Sequence, residues 1–209
     1  MSTATVQTRS LVLWVPDWPV VALSRERAAP VEHPLAVVEN NTVVACSAAA
    51  RVERVRRGQR RRDAQARCPD LEIVAADPAR DHRVFASVVS AVEERAPGVQ
   101  IMRPGLCALR ARGPARYYGG ERDAAEVLRE AVRALGVTDV RAGIADGPFT
   151  AEQAARSGTT PRDTVRVVVD GGAGAYLSGL SVAVLDDAFV TGAGAAPGEI
   201  AGLLARLGV

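Results

Sequence analysis

Residues 77–145, DPARDHRVFASVVSAVEERAPGVQIMRPGLCALRARGPARYYGGERDAAEVLREAVRALGVTDVRAGIA, hold the densest run of helix and strand signals in the chain. Asp77-Pro78 offers an N-cap and then a proline at the first helical position, where a missing N–H is no loss. Phe85, Val88, Val89 and Val92 recur at i, i+3, i+4 and i+7, which predicts a long helix with one core-facing stripe. Val99 to Met102 and Leu106 to Ala111 predict two strands around Pro104-Gly105. Ala124, Val127, Leu128, Ala131, Val132 and Leu135 form a second helical stripe, stopped by Gly136, and Val140 to Ala145 predicts a further strand. Tyr117 and Tyr118, next to Gly119-Gly120, are expected on a loop.

Upstream, Leu11 to Val15 is a continuous apolar run closed by Pro16, short enough for a buried strand. Placed before residues 77–145, it completes the order β-α-β-β-α-β, so an α+β fold with a ferredoxin-like sheet is expected. The residues between read as an insertion. Trp18 to Arg27 suggests a short helix, and Leu35 to Val38 with Thr42 to Cys46 a hairpin about Glu39-Asn40-Asn41. Two basic helices follow, Ala48 to Arg56 and Arg60 to Arg67, punctuated by Gly58 and Pro69, and then a strand at Leu71 to Ala75. Downstream lie a helix at Phe149 to Arg156, a strand at Val165 to Val169, a Gly171, Gly172 and Gly174 linker, and a helix at Glu199 to Leu207. The halt at Gly208-Val209 suggests a motif that would continue.

At 209 residues and 48% apolar, the chain can bury a core without disulfides or metal. No apolar run nears the ~20 residues of a membrane span. MSTATVQTRS lacks the basic flank and apolar stretch of a signal peptide, so a cytoplasmic protein without membrane contact is expected. Cys46, Cys68 and Cys107 are odd in number and far apart, which predicts reduced, buried thiols. His33 and His82 have no ligand-type neighbours at helical spacing. All 26 basic residues are arginine; the absence of lysine excludes Schiff-base and Walker-type chemistry. Charge is uneven: residues 51–67 hold eight arginines against Glu53 and Asp63, while the rest of the chain holds eighteen arginines against twenty-two acids. Eight guanidinium groups in seventeen residues can contact phosphate, although consecutive Arg60, Arg61 and Arg62 cannot all face one surface.

Three stretches together resemble the Y-family translesion DNA polymerases. PLAVVENNTVVACSAAARVERVRRGQRRRDAQARCPDL (34–71) is similar to the family's fingers, RAGIADGPFTAEQAARSG (141–158) to its late palm, and LSGLSVAVL with IAGLLARLGV to the start of its thumb. LVLWVPDWP and RPGLCALRARGPARYYGG resemble a catalytically silent branch found in bacterial mutagenesis complexes. The resemblance implies a palm at 1–22 and 76–170, fingers at 23–75, and a truncated helix-hairpin-helix thumb at 171–209. It implies DNA as a partner, with an error-prone C-family DNA polymerase, a RecA-like accessory protein and a sliding clamp reached mostly through segments beyond this chain.

The departures from the family pattern bear on activity. The carboxylate that ends the family's first strand falls on Pro16, with Asp17 adjacent and, by strand alternation, expected to face away. The Asp-Glu pair of its hairpin falls on Gly105 and Leu106, its triphosphate-binding tyrosine on Ala48, its late-palm lysine on Glu152, and its paired aromatics on Val20 and Val21. Arg51 alone retains the family identity. Two-metal nucleotidyl transfer needs several converging carboxylate oxygens. The expectation is therefore a non-catalytic chain with no metal site and no cofactor. Arg51, Arg54, Arg57 and Arg61 are expected to contact nucleic acid, as are Arg103 and Arg110, which, with Arg112 and Arg116, are expected beside the emptied site. One rival is an active polymerase in which Asp17 joins Asp139 or Asp146 around metal; another is a protein-interaction domain without DNA affinity.

Overall fold

The computed structural model describes residues 8–158 and 164–185. Strand β1 (Arg9–Trp14) leads into helix α1 (Trp18–Glu26), then the hairpin β2 (Leu35–Glu39) and β3 (Thr42–Cys46). Two short helices, α2 (Ala48–Val52) and α3 (Arg61–Arg67), precede β4 (Glu72–Ala75) and the long α4 (Pro78–Glu93). Next come β5 (Gln100–Arg103), β6 (Leu106–Arg110), α5 (Arg112–Tyr118) and α6 (Glu121–Arg133). The described chain closes with β7 (Arg141–Asp146), α7 (Pro148–Ser157), β8 (Val165–Val167) and α8 (Ala173–Ser178).

The expected sheet forms. Five strands lie in the order β5-β6-β1-β7-β8, with β1 antiparallel to both β6 and β7, the arrangement a β-α-β-β-α-β chain requires, and β8 is added parallel to β7. Asp77 caps α4 by accepting the Arg80 N–H, and Phe85, Val88, Val89 and Val92 are buried as their spacing predicts. Successive residues of β1 serve two cores: Leu11 and Leu13 meet α4 and α6, whereas Val12 meets α7. Gly143 lets α7 lie directly on β7, since a Cβ there would stand 1.9 Å from the Ala151 carbonyl oxygen.

Residues 35–75 build a second sheet, β3-β2-β4, with its own small core around Val43, Cys46, Val55 and Cys68. Helix α1 belongs to both parts: Val20 and Leu23 pack on this sheet, while Trp18 and Ala22 enter the main core, Trp18 meeting Phe85 edge-on at 4.9 Å.

Two local expectations are corrected. Helix α2 ends at Val52, not near Arg56: Arg54 adopts a left-handed φ of 61°, and the Val55 N–H reaches back to Ala50 O as buried Val55 anchors the small core. Tyr117 and Tyr118 lie on α5, which ends at Gly119 with φ 92°, and not on a loop. Gly171 and Gly172 precede α8, which itself contains Gly174 and whose Tyr176 packs on the α7-side core. The expected Glu199 to Leu207 helix and the thumb motif lie outside the described residues. All three cysteines are free and buried.

A cleft of paired arginines between the two sheets

A cleft of about 560 Å³ opens where the end of β1, the β5–β6 turn and the C-terminal half of α7 meet the β3–α2 segment. Trp14, Pro16, Asp17, Arg51, Arg56, Arg57, Arg103 and Arg156 are among its lining residues. Asp17 does not face away as strand alternation predicts, because β1 has already ended at Trp14. In the turn after Pro16 it takes a left-handed φ of 47°, a conformation Asp tolerates better than most residues, and this aims its carboxylate into the cleft. There Asp17 Oδ1 accepts the Cys46 N–H at 3.0 Å, and Oδ2 accepts from Arg51 Nη1. Arg51 also donates to Cys46 O at 2.9 Å. The Asp17–Arg51 pair thus ties the first turn of the large sheet to the end of the small one.

Glu152 makes the second pairing. It is buried in α7, and its Oε1 accepts from Arg103 on β5 and from Arg156 one helical turn away, the latter at 2.9 Å. The guanidinium groups of Arg141 and Arg156 stand 5.3 and 5.2 Å from the ring centroid of Trp14. Arg56 donates to the carbonyls of Arg51 and Val55, and Arg57 is exposed at the rim.

The remaining expected positions scatter. Gly105 and Leu106 are buried; a Cβ on Gly105 would lie 2.5 Å from the Cβ of Trp18, and Leu106 packs in the α7-side core. Ala48 begins α2, exposed and outside the cleft lining. Val20 and Val21 serve the cores. Arg54 and Arg61 are exposed and do not line the cleft; Arg54 borders a small separate hollow with Glu53 and Arg67. Arg110 ends β6 opposite Ser10, and Arg112 and Arg116 follow it on α5, so these three are not beside the cleft: β6 carries the chain away from it by roughly 13 Å. The signal missed in the sequence was Arg156, which the i, i+4 spacing from Glu152 could have revealed.

Among the described residues no three His, Cys, Asp or Glu side chains are placed to hold a metal ion. Asp17 is paired with Arg51, and Asp139 with Arg141 through two bonds of 2.9 and 3.0 Å. Asp146 binds Arg9 and the Gly171 N–H, and its register opposite Arg9 sets it at the other end of β1, roughly 17 Å along the strand from Trp14. It borders a separate hollow of about 920 Å³ with Thr8, Phe149 and Leu177. Of the buried ionisable groups near the cleft, Asp81 has its carboxyl pushed up by burial against the opposing pull of Arg80, which bonds it at 2.9 Å. Burial likewise pushes the Cys46 thiol up.

Such a sheet, with a small strand-and-helix unit set over the end of its first strand, has the fold of Y-family DNA polymerases. Two solved structures share it: the Dbh ternary complex, at TM-score 0.67 and 15% identity over 96% of this chain, and a Y-family DNA polymerase chimera of Dbh and Dpo4, at 0.61 and 14% over 76%. The chain spans 57% and 48% of their respective lengths. The chain belongs to the impB/mucB/samB family, whose pattern matches residues 19–156. No curated protein sequence is significantly similar to it. Among the described residues no helix is long and apolar enough to cross a membrane.

Proposed function

We propose that the chain is a non-catalytic polymerase-like adaptor for error-prone translesion DNA synthesis in damage-induced mutagenesis, similar to ImuB, acting in the cytoplasm. In this reading residues 1–22 and 76–170 serve as palm, 23–75 as fingers and 171–209 as the start of a thumb. What supports the loss of catalysis is that the resemblance sets Pro16, Gly105 and Leu106 at the three positions where the family holds metal-binding carboxylates, and that the Trp18 side chain fills the space that a side chain on residue 105 would need. Without those oxygens neither the attacking nor the leaving group of a nucleotidyl transfer has its charge neutralised.

DNA contact falls to the basic segment. Arg54, Arg57 and Arg61 are exposed and enter no ion pair among the described residues, so they remain available to phosphate. A C-family polymerase, a RecA-like protein and a sliding clamp are the protein partners this reading implies.

Two measurements on a homogeneous sample test it. Primer extension with Mg²⁺ or Mn²⁺ should stay at the level of a protein-free blank; extension above it would restore the active-polymerase reading. Binding to primer-template DNA should weaken steeply with salt, and replacing Arg54, Arg57 and Arg61 together should lower the slope of log K against log salt by roughly 2–3. Absence of binding at low salt would leave only a protein-interaction role.

A further inference from the structure

Five arginines around one cleft of about 560 Å³ would by themselves make a strong trap for phosphate, since guanidinium forks match phosphate oxygens and a walled cleft concentrates their field. Three of the five are already paired with acids. Arg51 is paired with Asp17, and Arg103 and Arg156 converge on one oxygen of Glu152. Both acids are fixed in place. Asp17 is anchored by the Cys46 N–H and by its turn between Pro16 and Trp18, and Glu152 is 6% exposed on a helix that Gly143 seats directly on the sheet. A phosphate seeking these arginines must displace a neighbour held at far higher effective concentration, and would leave Glu152 buried without its cations, the costly side of breaking such a pair.

We propose that Asp17 and Glu152 are resident counter-anions that close the cleft to phosphate, and are thus specificity-determining residues that direct polyanions to the exposed basic segment instead. The inference refines the adaptor reading, on which only its last clause rests. Its test uses neither DNA nor metal, so it can fail while that reading stands.

The test is a titration of inorganic triphosphate into the full chain in metal-free buffer, followed by calorimetry and by tryptophan fluorescence, since Trp14 lines the cleft. The native protein should show no saturable binding at millimolar triphosphate. Glu152→Gln should bind at least about tenfold more tightly, Asp17→Asn combined with Glu152→Gln about tenfold more tightly again, and adding Arg103→Ala should abolish the gain. Native protein binding as tightly as Glu152→Gln would overturn the proposal, as would a doubly substituted protein with native circular dichroism and no gain. A second measurement needs no variant. Arg51 is 42% exposed, so burial alone would leave it reactive toward phenylglyoxal; its modification, mapped by mass spectrometry, should lag that of Arg57 several-fold. Equal rates at Arg51 and Arg57 would also overturn the proposal.

Discussion

The side chain of Trp18 occupies the ground above Gly105: a Cβ added there would stand 2.5 Å from the Trp18 Cβ and 3.1 Å from the Val15 carbonyl oxygen. Trp18 cannot yield, because its ring is wedged against Phe85 and its Nε1–H donates to Asp81 O at 2.9 Å. Gly105 also has a φ of +84°, which disfavours any other residue. Restoring an acid by Gly105→Asp is therefore expected to destabilise the fold by about 2–4 kcal/mol, from overpacking and backbone strain together. Urea unfolding checks this, and a loss below about 1 kcal/mol would mean that Trp18 can move aside.

Asp17 should respond differently to two substitutions. Asn retains an acceptor for the Cys46 N–H and tolerates the left-handed turn, so Asp17→Asn should cost about 1 kcal/mol. Ala loses both hydrogen bonds and strains the turn, so Asp17→Ala should cost about 2–3 kcal/mol. Paired denaturation curves measure the difference; equal losses would show that neither the retained acceptor nor the turn conformation contributes.

Arg103 and Arg156 share Glu152, which predicts strong coupling between them. Either arginine alone still neutralises the buried carboxylate, so each single alanine substitution should cost about 1–2 kcal/mol. Removing both leaves Glu152 uncompensated and should cost more than the two single losses added, by about 1–3 kcal/mol. A double-mutant cycle in urea tests the pair, with strict additivity as the contrary result.

Cys107 lies wholly inside the sheet, and burial pushes its thiol up to about 12 from an ordinary value of 9.0. The folded state therefore holds this proton more tightly than the unfolded state. The associated stability is complete below about pH 9 and is lost as pH rises from there toward about 12, at up to about 1.4 kcal/mol per pH unit. Stability measured over that window should fall less steeply in Cys107→Ala than in the native protein, after allowance for the fixed cost of the smaller side chain.

Much of the scaffold was legible because its signals are local. The stripe of Phe85, Val88, Val89 and Val92, the Asp77-Pro78 start of α4 and the apolar run of β1 each lie within a few residues of one another, and each forms where expected. The misses came where a distant contact outweighed local preference. Arg54 takes a glycine-like conformation because Val55 is drawn into the small core. Asp17 was placed on the wrong side by extending strand alternation past the strand's end.

By itself, the amino-acid sequence determined the order of helices and strands, the concentration of arginine in residues 51–67, and the absence of acids at residues 16, 105 and 106, since these are matters of residue type and short-range spacing. Only the tertiary structure decided which arginines remain exposed and which are held. Asp17 and Arg51 stand 34 residues apart, and Arg103 and Glu152 stand 49 apart. Charges so far apart along the chain meet only after packing against two separate sheets has brought them to one cleft, and the short range of ion pairing makes that encounter invisible to any local pattern.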